Sequence, residues 1–248
     1  MFPRTYFTVR YADTGVIAVR ETDYIEKSIL FTGSYEPEVW QSIEAHIQPN
    51  DIVWDIGANI GATTVHAIHD SRVSEVHSFE PQPRVLPLLK LNVKLNNGDA
   101  KCTIHRFALS DSVGQTSLYT SDENNTGRSS LLHSDRGRAS VEVSTATIDF
   151  VIESNLAPAP TIVKIDVEGW EIHVLRGAGK LFSETPPRAI VFEAQYDAIT
   201  DLPSDPELLS LFMHYGYVVR HIQRQHDPIE PASENFLAVH VGTSSREM

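Results

Sequence analysis

The sequence predicts an α/β fold built on a mostly parallel, doubly wound sheet. Three observations carry that expectation. Short apolar runs bounded by turn residues recur at Ile52–Ile56, Glu75–Phe79, Cys102–Phe107, Ile162–Ile165 and Arg188–Ala194, the pattern of strands buried on both faces. Apolar residues at helical spacing fill several of the intervals, as in Val85, Leu88, Leu89, Leu91 and Leu95. The first run ends in a glycine-bearing turn, D-I-V-W-D-I-G-A-N-I-G from Asp51 to Gly61, and Gly61 opens a helical stretch, T-T-V-H-A-I-H. Such a strand–turn–helix unit starts a doubly wound sheet, with small ligands beyond the strand's carboxyl end.

Composition narrows the class. At 248 residues, 41% hydrophobic and 21% charged, the chain has the length and content of one globular α/β domain. The expected layout is a single domain over 1–248: a hairpin and helix over 1–48 capping the ligand site, a core over 49–242 and a loose tail over 243–248. A formal net charge of −13 argues against a nucleic-acid partner, which needs a basic face. Cys102 is the single cysteine, so neither an intrachain disulfide nor a multi-cysteine metal site can form. The N-terminus M-F-P-R-T-Y-F-T-V-R-Y has no apolar h-region, and no apolar run is long enough to span a bilayer; the expectation is a cytoplasmic protein with no membrane partner.

Taken in order, Phe7–Val9 and Val16–Arg20 read as a hairpin about Ala12-Asp13-Thr14-Gly15. Ser34 reads as a cap and Pro37 as a first helical residue, with Val39, Trp40, Ile43 and Ile47 at helical spacing before Pro49-Asn50 stops the helix. Tyr35, Glu36 and Glu38 are candidates for the ligand entrance. The second strand ends at Glu80, and Pro81-Gln82-Pro83 breaks the chain before a helix running to Asn96-Asn97-Gly98. After the third strand, Ala108-Leu109-Ser110-Asp111 forms its terminal loop. Gln115–Thr120 and Ala139–Thr145 look like a hairpin around a long polar insert. That insert reads as a surface loop, with Arg128, Ser129 and His133 as candidate acceptor contacts. Thr147–Ser154 suggests a short helix. The fourth strand ends at Asp166, a helix spans Glu171 to Leu175, and Gly177 and Gly179 suit its end. The fifth strand delivers Glu193 and Gln195 to the same edge. A helix over Leu208–Tyr215 and strands over Tyr217–Ile222 and Phe236–Val241 close the sheet.

The chemistry is read from departures as much as from matches. The turn lacks the second glycine of the dinucleotide fingerprint G-x-G-x-x-G, with Asn59 in its place. Gly57 and Gly61 allow the tight turn and a close approach of ligand to backbone. Asp55, just ahead of it, would repel a pyrophosphate and attract a sulfonium or ammonium. Glu80 lies roughly 20 residues past the glycine turn, where a carboxylate accepts the hydroxyls of a ribose diol, a group that S-adenosylmethionine and NAD share. Asp166, Glu168 and Glu193 are the candidate general bases for a hydroxyl acceptor, with Lys164 on the same strand face as Asp166 to hold its charge. The alternative for Asp166 is to cap the following helix while Glu168 complements its dipole. Asp166 and Glu193 could offer oxygen ligands to a divalent ion, but no dense carboxylate cluster is visible in the sequence and the metal stays unassigned.

The glycine turn with Asp55 resembles that of the Rossmann-like S-adenosylmethionine-dependent methyltransferases. More narrowly, the chain resembles the FkbM-type methyltransferases. The resemblance is carried by D-I-G-A-N-I-G at Asp55–Gly61, F-E-P-Q-P at Phe79–Pro83, A-L-S-D at Ala108–Asp111, T-I-D at Thr147–Asp149, K-I-D-V-E-G at Lys164–Gly169 and F-E at Phe192–Glu193. It implies a seven-stranded sheet in the order 3-2-1-4-5-7-6 with the last strand antiparallel. It implies S-adenosylmethionine as cofactor and methyl transfer to a hydroxyl on a sugar or secondary metabolite, hence a place in natural product biosynthesis. Carried over residue by residue, Asp55, Gly57 and Asn59 would hold the methionine part, Glu80 the ribose and Ala108-Leu109 the adenine. The expected partner is a small-molecule or sugar acceptor, with homo-oligomerisation left open. The competing readings are a nucleotide-cofactor oxidoreductase, disfavoured by Asp55 and Asn59, and a methyltransferase-like binding subunit without turnover.

Overall fold

The apolar runs pair into one sheet because each is flanked by helices on both sides. The computed structural model describes residues 6–12, 15–21, 23–119, 140–223 and 233–242. The central strands are β3 (Asp51–Ile56), β4 (Val73–Phe79), β5 (Cys102–His105), β9 (Ile162–Ile165), β10 (Ala189–Asp197), β12 (Tyr217–His221) and β13 (Ser233–His240). They lie in the order β12-β13-β10-β9-β3-β4-β5. The pairs around β3, β4, β5, β9 and β10 are parallel, and β13 runs antiparallel to both β10 and β12. This is the 3-2-1-4-5-7-6 order, with the last strand reversed. A two-residue strand, β11 (Leu202–Pro203), pairs with the far end of β10.

Alternation along the strands sorts the core into two layers. Trp54 and Ile56 of β3 join Phe192 and Phe236 on one face, covered by α5 (Ile148–Glu153), α6 (Glu171–Arg176), α7 (Gly179–Glu184) and α8 (Pro206–His214). Val53 joins Val76, Val191 and Leu237 on the other face, covered by α2 (Pro37–Glu44), α3 (Ala62–His69) and α4 (Leu86–Leu95). Period-two burial on both faces is what a doubly wound sheet requires. A small second sheet is made of β6 (Ala108–Leu109), β8 (Ser140–Ala146) and β7 (Gly114–Tyr119), in the order β6-β8-β7.

The N-terminal hairpin, β1 (Phe7–Tyr11) and β2 (Gly15–Val19), is attached through side chains. Asn92 Oδ1 accepts from Ala18 N at 2.7 Å, and Asn96 Oδ1 accepts from Val16 N at 2.9 Å. The same two amides donate back to Ala18 O at 3.2 Å and Val16 O at 2.6 Å. Two asparagines one turn apart, Asn92 on α4 and Asn96 at its C-cap, therefore pair the free edge of β2 as a neighbouring strand would. Arg20 and the fully buried Glu26 form an ion pair that ties the hairpin's end to α1 (Tyr24–Thr32).

Several expectations need correction. Helix α1 was not foreseen, although its signals are local: Asp23 caps it by accepting from Ile25 N at 3.0 Å, and Gly33 closes it at φ +76°. Ser34 does not cap α2; Glu36 holds that position at φ +43° without a side-chain cap, and Pro37 opens the helix. Gly179 does not close α6 but starts α7, whose first turn is held by Asp149 accepting from Lys180 N and Leu181 N. β10 runs on past Ala194 to Asp197. The polar insert with Arg128, Ser129 and His133, and the tail over 243–248, lie outside the described residues. Among the described residues no helix is long and apolar enough to cross a membrane.

Candidate active site

Register builds the site. The last paired rung across four parallel strands is Phe79–Ile56–Ile165–Phe192, from β4 through β3 and β9 to β10. The residues one step beyond are Glu80, Gly57, Asp166 and Glu193, and the antiparallel partner of Glu193 on β13 is Asn235. All five line one cavity of about 1240 Å³, its open mouth included. Residues far apart in sequence thus meet because their strands end together, at the edge where doubly wound sheets bind ligands.

At Gly57 the geometry demands glycine. Its φ is +81°, and a Cβ there would lie 1.8 Å from the Asp166 carbonyl oxygen. The β3 turn is thereby pressed against the end of β9, while Gly57 N and Ala58 N donate to Phe79 O at 2.9 and 3.1 Å. Asn59 follows at φ +50°, and its Oδ1 is buried with no hydrogen-bond partner among the described residues. Glu80 is buried and accepts from Asn59 N and Gln82 N, both at 2.8 Å. Burial dominates its titration and pushes its pKa up to about 7, against those two backbone bonds. Each carboxylate oxygen has one backbone partner, which leaves capacity for a diol. Phe107, Ala108 and Leu109 supply an apolar wall beside it.

Asp55 is fully buried but is not part of the cavity lining. On β3 it alternates away from Trp54 and Ile56, and its Oδ2 accepts from Thr64 Oγ1 at 2.6 Å. Its Oδ1 lies 4.0 Å from Lys164 Nζ. Lys164 bonds Asp166 Oδ2 at 2.9 Å. Burial opposes the Lys164 ammonium, but Asp166 and Asp55 outweigh it and hold its pKa above the ordinary lysine value. Burial likewise raises the Asp55 carboxyl, countered in part by Lys164 and Thr64.

Beyond Asp166 the chain makes a left-handed turn, Glu168 at φ +54° and Gly169 at φ +93°. Glu171 holds it, accepting from Val167 N at 3.1 Å and Gly169 N at 3.2 Å through one buried oxygen. Helix α6 has Trp170 at its N-cap position with no side-chain cap bond, so Asp166 is not its cap, and the first-turn acid is Glu171 rather than Glu168. The turn brings Asp166, Glu168 and Glu193 together, with ligand oxygens all within 4.8 Å of one another. The dense carboxylate cluster not visible in the sequence is therefore present in the fold. Tyr35 and Glu36 also line the cavity; Glu38 does not. Trp170, stacked on His173 at 3.8 Å and donating to Ser110 Oγ at 3.1 Å, is a lining residue the sequence did not reveal.

A doubly wound sheet with a reversed last strand, a glycine turn lacking the dinucleotide fingerprint and a buried carboxylate at the end of the second strand together make the fold of the Rossmann-like methyltransferases. The family follows from comparison: residues 55–219 match the family model described as Methyltransferase FkbM domain, and the chain belongs to that family. Its cofactor is S-adenosylmethionine. The unpartnered Asn59 Oδ1, the glycine cradle and the paired oxygens of Glu80 fit that molecule.

Among curated proteins, the chain is 32% identical over 142 residues to the hexuronic acid methyltransferase AglP of Haloferax volcanii, covering 57% of this chain and 56% of that protein. It is 26% identical over 175 residues to Methyltransferase 1 of Beauveria bassiana, covering 63% of this chain and 67% of that protein. The solved FkbM methyltransferase of Methylobacillus flagellatus KT superposes with TM-score 0.52 at 20% identity, over 77% of this chain and 44% of that one. TYW2 of M. jannaschii, solved in complex with AdoMet, gives TM-score 0.50 at 14% identity, over 96% of this chain and 86% of that one. These superpositions speak to the fold. The match spans little more than half the length of AglP and less than half that of the M. flagellatus protein.

Proposed function

We propose that the protein methylates a hydroxyl of a small acceptor, a sugar or secondary metabolite, in natural product biosynthesis. The observation that carries this reading is the Asp166–Glu168–Glu193 cluster at the mouths of β9 and β10, with Lys164 bonded to Asp166 at 2.9 Å. Bound S-adenosylmethionine supplies an electrophilic methyl group. Gly57 and Asn59 hold its methionine part, Glu80 its ribose and Ala108-Leu109 its adenine, with Tyr35 near the entrance and Asp55 acting from beneath through Lys164. A hydroxyl needs a proton acceptor as it attacks. Asp166 takes that role: Lys164 fixes one carboxylate oxygen, and the other accepts the acceptor's proton. Glu168 and Glu193 hold neighbouring hydroxyls of a polyol, which orients the reacting one.

The lining charge narrows the acceptor. Among the described lining residues, Glu36, Glu80, Asp166, Glu168 and Glu193 stand against one lysine, Lys164. Like-charge repulsion in a partly desolvated cleft disfavours a carboxylate- or phosphate-bearing acceptor, so a neutral polyol fits better than a uronate. The name of AglP supports a sugar acceptor in general, and this chain's acidic lining separates the two. We take residues 1–48 as part of the same unit, since Tyr35 and Glu36 line the cavity, and we place the reaction in the cytoplasm without nucleic-acid or membrane partners. The test is incubation with S-adenosylmethionine and a panel of neutral sugars, amino sugars, uronates and phenols, with the methyl position mapped by mass spectrometry and NMR. Methyl found on nitrogen or on a carboxylate would overturn the reading.

A further inference from the structure

We infer that Tyr11, the last residue of β1 and outside the family-matched span, donates a hydrogen bond to the α-carboxylate of the cofactor's methionine part. This rests on S-adenosylmethionine being the cofactor. Tyr11 is 2% exposed, yet its side chain lines the cavity. Its hydroxyl completes no hydrogen bond of ordinary geometry among the described residues, although the Tyr35 backbone lies close. The Tyr35 backbone can only donate to the phenol oxygen; a buried O–H without an acceptor is costly, and one that lines a ligand cavity is explained when the ligand supplies the acceptor.

The chemistry of the neighbours selects which part of the ligand that is. Tyr11 packs with Ile60, just past the Gly57–Asn59 turn, and its ring lies against His66 of α3, which places it by the β3 turn; Glu36, Lys164 and Asp55 act on its hydroxyl electrostatically. Glu80 and the apolar wall of Phe107, Ala108 and Leu109 belong to the ribose and adenine end. Tyr35, also in the cavity lining, feels Asp166, Glu193 and Glu168 as well as Glu36, a set that includes the whole acceptor cluster. Tyr35 borders the acceptor cluster, and Tyr11 borders the methionine end. A carboxylate entering a cleft lined by acids needs donors, and the Lys164 ammonium is already held by Asp166. Burial first, and Glu36 second, raise the Tyr11 phenol far above its ordinary pKa; at neutral pH it is a donor.

The hydroxyl is also held in place. The Tyr11 ring packs against His66 with centroids 4.8 Å apart and belongs to the apolar cluster containing Ile17, Ile29, Ile60 and Leu88. The hairpin that carries it is fixed by Asn92, Asn96 and the Arg20–Glu26 pair. A donor on such a support needs little ordering when the ligand arrives.

The experiment is calorimetry on the full chain with two probes, S-adenosylhomocysteine and 5′-methylthioadenosine, which lacks the amino-acid part. Tyr11→Phe removes only the hydroxyl. It should weaken S-adenosylhomocysteine about tenfold or more, as for a hydrogen bond to a charged group, and leave 5′-methylthioadenosine within about twofold. The melting temperature of the ligand-free variant should be unchanged or higher, because an unpaired buried group is gone. Unchanged S-adenosylhomocysteine affinity overturns the inference. So does an equal loss for both probes, or a ligand-free melting point lowered by several degrees, since either gives the hydroxyl a structural role. Wild-type protein that binds neither probe overturns the methyltransferase reading itself, a result distinct from a silent Tyr11→Phe.

Discussion

Glu80 and the Asp166–Glu168–Glu193 cluster are the two carboxylate stations of one cavity, and they are built in opposite ways. Glu80 is buried and clamped by two backbone amides, Asn59 N and Gln82 N. The cluster is half-buried, and Asp166 is steadied by another side chain, Lys164. Backbone clamping fixes the geometry and favours the carboxylate, while burial opposes it and pushes the carboxyl up to about 7, so Glu80 accepts from a diol with both oxygens only once it is ionised. Side-chain support in a half-buried setting leaves the three carboxylates lining the cavity, within reach of an acceptor. On the proposed reading, one end of the cavity holds the cofactor and the other takes the acceptor's proton.

The sharpest way to break this division is Asp166→Asn. It keeps the shape and removes the basic oxygen, so kcat should fall about 10²-fold or more with S-adenosylhomocysteine affinity little changed. Glu168→Gln and Glu193→Gln should act mainly on the acceptor's KM. Near-normal kcat in Asp166→Asn together with collapse in either of the others would move the base. Loss of wild-type activity on adding chelator would make the cluster a cation site instead.

Next in size is Glu80→Ala, which should weaken S-adenosylhomocysteine by about 1.5–3 kcal/mol, the range for hydrogen bonds to a charged group, with kcat at saturating cofactor nearly preserved. Calorimetry and saturation kinetics check the two halves of that statement.

The smallest effect is on pH dependence. Glu80 and Glu171 have folded pKa values near 7, above the ordinary 4.5, mainly through burial. The folded chain therefore keeps protons that the unfolded chain releases between these values, so their contribution is present in acid and is lost as pH rises through about 7. His105, pushed down to about 4 mainly by burial, and His77, lowered for the same reason, act on the acid side: their contribution is lost as pH falls below 6.5. Thermal melts should thus bracket a maximum between the two limbs. Cofactor affinity should rise as pH passes through about 7 and ionises Glu80, and Glu80→Gln should flatten that rise.

The fold was legible where burial is symmetrical. β3 and β9 are short apolar runs because both faces are covered, and their ends fall where the composition changes, at Gly57 and Asp166. Helix α1 was legible in principle from Asp23 and Gly33, but the segment was read through Ser34 and Pro37. The site was legible only in part. Glu80, Asp166 and Glu193 follow apolar strands, so their position at the edge could be inferred, but their meeting depends on strand order and on a shared rung that no local pattern states. Asp55 shows the limit of alternation: period two puts it on the same face as Val53, but not whether that face opens to ligand. Tyr11, Trp170 and Asn235 arrive from three separate elements and carry no signal beyond being aromatic or polar in an otherwise ordinary context.

The asparagine stitching of the hairpin has a consequence for how the molecule opens. β2 is joined to the body by the amides of Asn92 and Asn96 rather than by a ladder with a core strand, so its backbone protons are protected by two side chains. The segment adds its own buried cluster of Ile17, Ala18 and Val19, but it shares no strand ladder with the central sheet, and units without such a ladder open locally ahead of it. Amide exchange at Val16 and Ala18 should then run faster than at Val53 or Val163, and slow once cofactor is bound. The cavity's N-terminal wall, Tyr11 included, is thus set in place by a side-chain clamp and an apolar cluster, with no rung shared with the central sheet.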